Sequence, residues 1–302
     1  MFQPGLVHTP VTPFTGDHRI DFDVYEKLIK FHIRNRADCL ALPMHAGESV
    51  SLTDEEQRAL LEFAIKCVGG RVPVIAHVSD AGTAIAVVRA RHAQAAGAAA
   101  IVAATPYYWT PPPAMVLEHF AQIGSAVDIP FLLYNSPEEF PGTKINAEFC
   151  LKLLERLPNF AGVVDLSLDW QFMIELMTYA PKRQPDFQLL AGTEHIVSAA
   201  AIGATGVLSA LAGVAPKLVR EIYVDSRGGK LSEARVAQEQ IAAIGQLVKL
   251  GGIGSLKAAM RVMGRDCGAP RPPLQEADKG ASKRIADALA AIAALKSEPH
   301  GW

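Results

Sequence analysis

Eight short apolar runs recur along the chain, each followed by an amphipathic stretch, and this alternation limits the fold more than any other feature. The runs cover residues 5–11, 39–43, 72–78, 98–104, 130–134, 161–166, 187–191 and 205–210. Most are spaced by roughly thirty residues or somewhat fewer, the length of a βα unit. They are almost continuously apolar, which suits parallel strands covered on both faces. The stretches between them carry helix signals. Thr53 and Glu56 form a capping box before an apolar face that ends at a glycine pair. A second helix is expected from Thr83 to Gly97, and Asn146 is placed to cap a third.

Eight such units favour an α/β chain folded as a closed (β/α)8 barrel, the TIM-barrel architecture, over an open doubly wound sheet. No GxGxxG follows the first run and no GxxxxGK[ST] occurs, so nucleotide binding has no motif behind it. Residues 211–302 read as mainly helical, more than one closing helix requires. The expected organisation is a barrel over residues 1–225 and a C-terminal helical extension over 226–302 packed on it.

Half of the 302 residues are hydrophobic, and a fifth are charged with a net charge of −2. With no basic run, nucleic acid and membrane surfaces are not expected partners. The N-terminus lacks the charged start and apolar core of a signal peptide. Cys39, Cys67, Cys150 and Cys267 are scattered without a CxxC, as in a cytoplasmic protein with reduced thiols.

Barrels of this kind place their chemistry at the C-terminal ends of the strands. Those ends read His8-Thr9, His45 to Ser49, His77, Tyr107-Tyr108, Tyr134-Asn135, Asp165, Gly192 to Glu194, and Ser209. This is a polar, titratable rim on an apolar scaffold.

Several segments in order (TPF, AGESVSLTDEE, ATPYYW, YNSP, GATGVLSALAGVAP and RPPL) resemble the dihydrodipicolinate synthase/N-acetylneuraminate lyase family of class I aldolases. The resemblance covers nearly the whole chain and implies a homodimer or homotetramer acting on a small carboxylate such as pyruvate, with no cofactor. In the family a lysine forms an imine with a 2-oxo acid. A tyrosine on the fifth strand relays protons, assisted by a threonine and by a tyrosine lent by a neighbouring subunit. Tyr134 matches the relay tyrosine and Tyr108 the borrowed one. Ala46, Gly47, Glu48, Ser49, Asp165, Gly192 and Ser209 fall at substrate-binding positions.

The match is uneven. His45-Ala46 replaces a threonine pair, and the arginine of dihydrodipicolinate synthases falls near Glu139. The sixth-strand motif G-I-K-[DE] becomes Gly162-Val163-Val164-Asp165, which removes the lysine. Lys144, Lys217 and Lys257 are not at strand ends aimed into the barrel, and an imine former needs a desolvated amine.

His8, His45 and His77, three of nine histidines, end the first three runs. They are candidates for proton transfer, with His45 the catalytic choice, or for holding a divalent metal together with Glu48, Asp165 or Glu194. Each also has a plain reading as a hydrogen-bonded pocket residue, and strand parity decides which side chains meet. His18, His32, His92, His119 and His300 are expected on the surface or in packing. The favoured function is a lyase- or aldolase-like protein acting on or binding a 2-oxo acid without an imine, and not a true dihydrodipicolinate synthase. The alternatives are a non-catalytic ligand-binding relative and a metal-dependent hydratase or hydrolase.

Overall fold

In the computed structural model, which describes residues 2–137 and 142–302, each apolar run becomes a short parallel strand. The strands are β1 (Leu6–His8), β2 (Cys39–Leu42), β3 (Val74–His77), β4 (Ala100–Ala104), β5 (Phe131–Asn135), β6 (Phe160–Asp165), β7 (Gln188–Gly192) and β8 (Gly206–Ser209). They hydrogen-bond in sequence order, and β8 closes on β1 to complete the barrel.

Helices α1 (Phe22–Arg34), α2 (Asp54–Val68), α3 (Thr83–Ala96), α4 (Pro113–Ser125), α5 (Ala147–Arg156), α6 (Trp170–Arg183), α7 (Ile196–Ile202) and α8 (Pro216–Arg227) follow the strands in turn. Their ends obey the sequence signals. Thr53 and Glu56 close the capping box of α2, and Gly69 ends that helix in the left-handed region. Gly97 stops α3 the same way, and Asn146 accepts the Phe149 N–H at the start of α5.

The strands are apolar over most of their length because they separate two cores. Val7, Ala41, Ile75, Val102, Tyr134, Val164, Leu190 and Leu208 fill the barrel interior. The residue preceding each points outward into the layer beneath the helices, as the two-residue alternation of a strand requires. Gly162 fits this closeness, since a Cβ there would stand 2.3 Å from the Gln188 carbonyl oxygen.

Helices α9 (Leu231–Lys249), α10 (Gly252–Val262) and α11 (Lys279–Ala291) form the C-terminal part. It is tied to the barrel by buried cations. Arg265 donates to the carbonyls of Gly213 and Val214 at 3.0 and 2.9 Å, and also to those of Pro299 and Gly301. Its guanidinium lies 4.4 Å from the centre of the Phe31 ring. Lys257 of α10 meets Glu48, in the loop after β2, at 2.7 Å. Among the described residues no helix is long and apolar enough to cross a membrane.

Candidate active site

The C-terminal ends of the strands open onto a cavity of about 400 Å³, a size suited to a small molecule. Thr9, His45, Ala46, Tyr134, Leu166, Gly192 and Thr193 line it from the barrel side. Gly245, Val248, Lys249, Ile253 and Leu256 line it from α9 and α10. The C-terminal helices therefore form part of the site's wall.

Tyr134 reaches the cavity because it is an inward residue of β5, and it is almost wholly buried. In register it stands beside Val164 of β6, whose side chain also points into the barrel. His45 begins a single 3-10 turn (His45–Gly47) that follows β2 and turns its half-buried imidazole to the cavity. Glu194 and Lys249 also lie on the lining, and Lys249 is the one lysine among the described lining residues.

Several residues expected at the site point elsewhere. His8 shares the outward face of β1 with Leu6. Its Nδ1 lies 3.0 Å from Nδ1 of His32 on α1, with both residues wholly buried. Burial lowers the His8 pKa to about 3 and holds His32 well below its ordinary value, so the pair is neutral. The three strand-end histidines therefore do not converge: His45 lines the cavity, His77 lies packed against Tyr134 and His8 faces the helix layer. Among the described residues no group of three or more histidine, cysteine, aspartate or glutamate side chains is arranged to hold a metal.

Asp165 follows the inward Val164 and so turns outward. It accepts from the Asn135 amide at 2.5 Å and from the Ser167 hydroxyl at 3.0 Å. Burial raises its pKa to about 6 despite these hydrogen bonds. Ser209 follows the inward Leu208 and is likewise buried on the helix side.

Glu48 is buried away from the cavity lining, held by Lys257 and by the Arg271 N–H at 2.7 Å. Lys257 is thus a buried lysine rather than a surface one, lowered in pKa by burial against the opposing pull of Glu48. Its partners tie it to Glu48 and, at 4.6 Å, to the Phe14 ring. Gly47 packs behind the turn with its carbonyl bonded to Thr12, and Ser49 is buried beyond it.

Tyr108 is 87% exposed on the loop after β4, with φ at +72° and its ring edge-on to Trp109. The left-handed region is strained for so bulky a residue. Glu139 lies outside the described residues.

A histidine beside the lining residues Gly192 and Thr193 also carried no sequence signal. His195 accepts the Gly192 N–H at 3.2 Å and hydrogen-bonds the Asp165 carbonyl, so its ring spans the ends of β6 and β7. Gly192 leaves room for it, since a Cβ there would lie 2.7 Å from the ring.

The model of the dihydrodipicolinate synthetase family matches residues 3–292. The chain belongs to that family. It is 32% identical over 267 residues to the 4-hydroxy-tetrahydrodipicolinate synthase of Caldicellulosiruptor saccharolyticus, covering 87% of this chain and 88% of that protein. It is 30% identical to the enzyme of that name from Chlorobium phaeobacteroides over 290 residues, 93% of this chain and 96% of the relative. Among solved structures, the prophage protein YagE from E. coli, a family member in complex with pyruvate, superposes with a TM-score of 0.91 at 26% identity. That match covers 98% of this chain and 99% of YagE.

Proposed function

We propose that this family member binds a 2-oxo acid or a related small carboxylate in the barrel-mouth cavity and acts on it as a lyase, without a lysine imine. The observation that carries the reading is the pairing of Tyr134 with Val164. The proton-relay tyrosine faces the cavity, while the side chain beside it in register is a valine that cannot condense with a ketone.

What remains is acid–base and electrostatic chemistry. The Tyr134 phenol exchanges a proton with the carbon or oxygen next to the ketone. The His45 imidazole and the Thr9 and Thr193 hydroxyls line the same cavity and offer hydrogen bonds to the carboxylate and to charge developing on the carbonyl oxygen. The backbone at Ala46 and Gly192 gives the ligand close approach. Glu194 and Lys249 face whatever the substrate carries beyond its 2-oxo acid end.

A three-histidine metal hydratase draws no support from His8, whose ring is committed to His32. A homo-oligomer is supported by the exposed Tyr108, Trp109 and Met115 around α4. The exposure of Tyr108 suits a side chain lent to a neighbouring copy.

The test is calorimetric titration with pyruvate and longer 2-oxo acids, followed by turnover assays on those that bind. Binding and turnover are expected in the wild type, with weaker binding in His45→Ala and loss of turnover in Tyr134→Phe. Binding without turnover would make the protein a non-catalytic relative, and no binding of any 2-oxo acid would overturn the assignment.

A further inference from the structure

Behind Tyr134 the barrel interior holds a polar pair among apolar neighbours. His77 is the last inward residue of β3, and Ser79 follows two residues later, both buried. The interior side chains around them include Ala41 of β2, Ile75 of β3, and Val102 and Ala104 of β4. An imidazole in such surroundings is costly unless its nitrogens are engaged.

Hydrogen bonds engage one nitrogen of the ring. The Ala104 N–H donates to Ser79 Oγ at 2.7 Å, and Ser79 Oγ lies 2.7 Å from His77 Nε2. A serine hydroxyl that accepts from the backbone can give its own hydrogen to Nε2. In that arrangement neutral His77 is the Nδ1–H tautomer. The ring meets Tyr134 edge-on, with centroids 6.4 Å apart and planes at 89°. Neither His77 nor Ser79 lines the cavity, whereas Tyr134 does.

We infer that His77, locked by Ser79, is a positioning residue that holds the Tyr134 phenol in place and sets its acidity. The inference rests on the reading of Tyr134 as the acid–base group. A proton on His77 places a positive charge within reach of the phenol ring and stabilises tyrosinate, whereas the neutral ring supplies orientation alone. Other titratable or charged groups near this corner are Tyr107, on the loop after β4, with Asp80 and Arg89, and Asp54, Arg58 and His92, which line a small cleft together with His77. Arg89 lies 3.1 Å from Asp80 and hydrogen-bonds Tyr107.

The test has one arm without substrate and one with it. In the full-length protein with ring-labelled tyrosine and histidine, NMR should show His77 as the Nδ1–H tautomer. The Tyr134 ring signal, assigned with Tyr134→Phe, should step at the pH where His77 titrates. The step should vanish in His77→Gln, and the tautomer preference should be lost in Ser79→Ala.

With a 2-oxo acid that is turned over, His77→Gln should lower kcat by about tenfold or more with KM unchanged and alter the acidic limb of the kcat profile. The inference is overturned if the Tyr134 signal ignores His77 titration, or if a folded His77→Gln keeps kcat within about twofold. Should His77→Gln fail to fold, an unchanged tautomer in Ser79→Ala overturns it instead. A Tyr134 step together with an active Tyr134→Phe enzyme would sink the catalytic reading of Tyr134 while leaving the His77 coupling standing.

Discussion

Replacing Glu48 by Gln tests how the C-terminal helices are held against the barrel rim. Glu48 Oε1 and Lys257 Nζ stand 2.7 Å apart, with side chains 0% and 2% exposed. At an effective dielectric near 20, that separation gives a gross attraction of about 6 kcal/mol, most of it offset by the desolvation of both ions. Removing one charge strands the other, and breaking a buried pair in this way costs about 3–5 kcal/mol. Among the described residues the ammonium would keep no charged partner, only neutral acceptors such as the new amide oxygen and the Ala269 carbonyl, 3.3 Å away, with the Phe14 ring beside it.

Thermal unfolding of Glu48→Gln should therefore fall by roughly 10 °C, at about 2–4 °C per kcal/mol for a chain of this size. The lysine also provides a check on sign. Its folded-state pKa lies below its ordinary value and should fall further without Glu48. The folded state then binds fewer protons than the unfolded state, so stability rises with pH and the deficit should shrink in alkaline buffer. Adding Lys257→Met should recover most of the loss. A Glu48→Gln variant within about 1 kcal/mol of wild type, at all pH values, would refute the buried-pair account.

Two further predictions concern pH. His8 and His32 are held neutral, His8 with a folded pKa of about 3. The unfolded chain therefore binds more protons below about pH 6.5, and stability should fall with acidification by up to about 1.4 kcal/mol per pH unit for each. Denaturation midpoints measured against pH should show this slope, and the double replacement His8→Leu/His32→Leu should flatten it. Asp165 behaves oppositely, since its folded pKa is raised to about 6. Its contribution is fully present below the unfolded value and is lost as pH rises through 6. Asp165→Asn should thus raise the melting temperature at pH 8 relative to pH 5, and an equal shift at both would contradict this.

The barrel was legible because the strands are mostly apolar and several helices carry clear start and stop signals, as at Thr53, Asn146, Gly69 and Gly97. That same two-sided burial hid the direction of the strand-end side chains. Nothing in LVH distinguishes the inward Val7 from the outward His8, because both faces of β1 are buried. Asp165 and Ser209 were unreadable for the same reason. Tyr134 was legible through its motif, and its inward parity put it in the cavity.

The walls contributed by Gly245, Val248 and Lys249 gave no signal, since the amphipathicity of a helix does not say where it docks. Lys257 reads as one lysine in a helix until its partner, 209 positions earlier by number (257 − 48), is brought against it. His195 was invisible for another reason: its partners are backbone groups, which leave no trace in sequence.

The central claim is that this cavity works without a covalent imine. Sodium borohydride added with pyruvate, followed by intact-mass and peptide mass spectrometry, tests it most directly. The account predicts an unmodified chain under conditions where calorimetry shows the ligand bound. A reduced pyruvate adduct on any lysine, with Lys249 at the cavity the first to inspect, would contradict it.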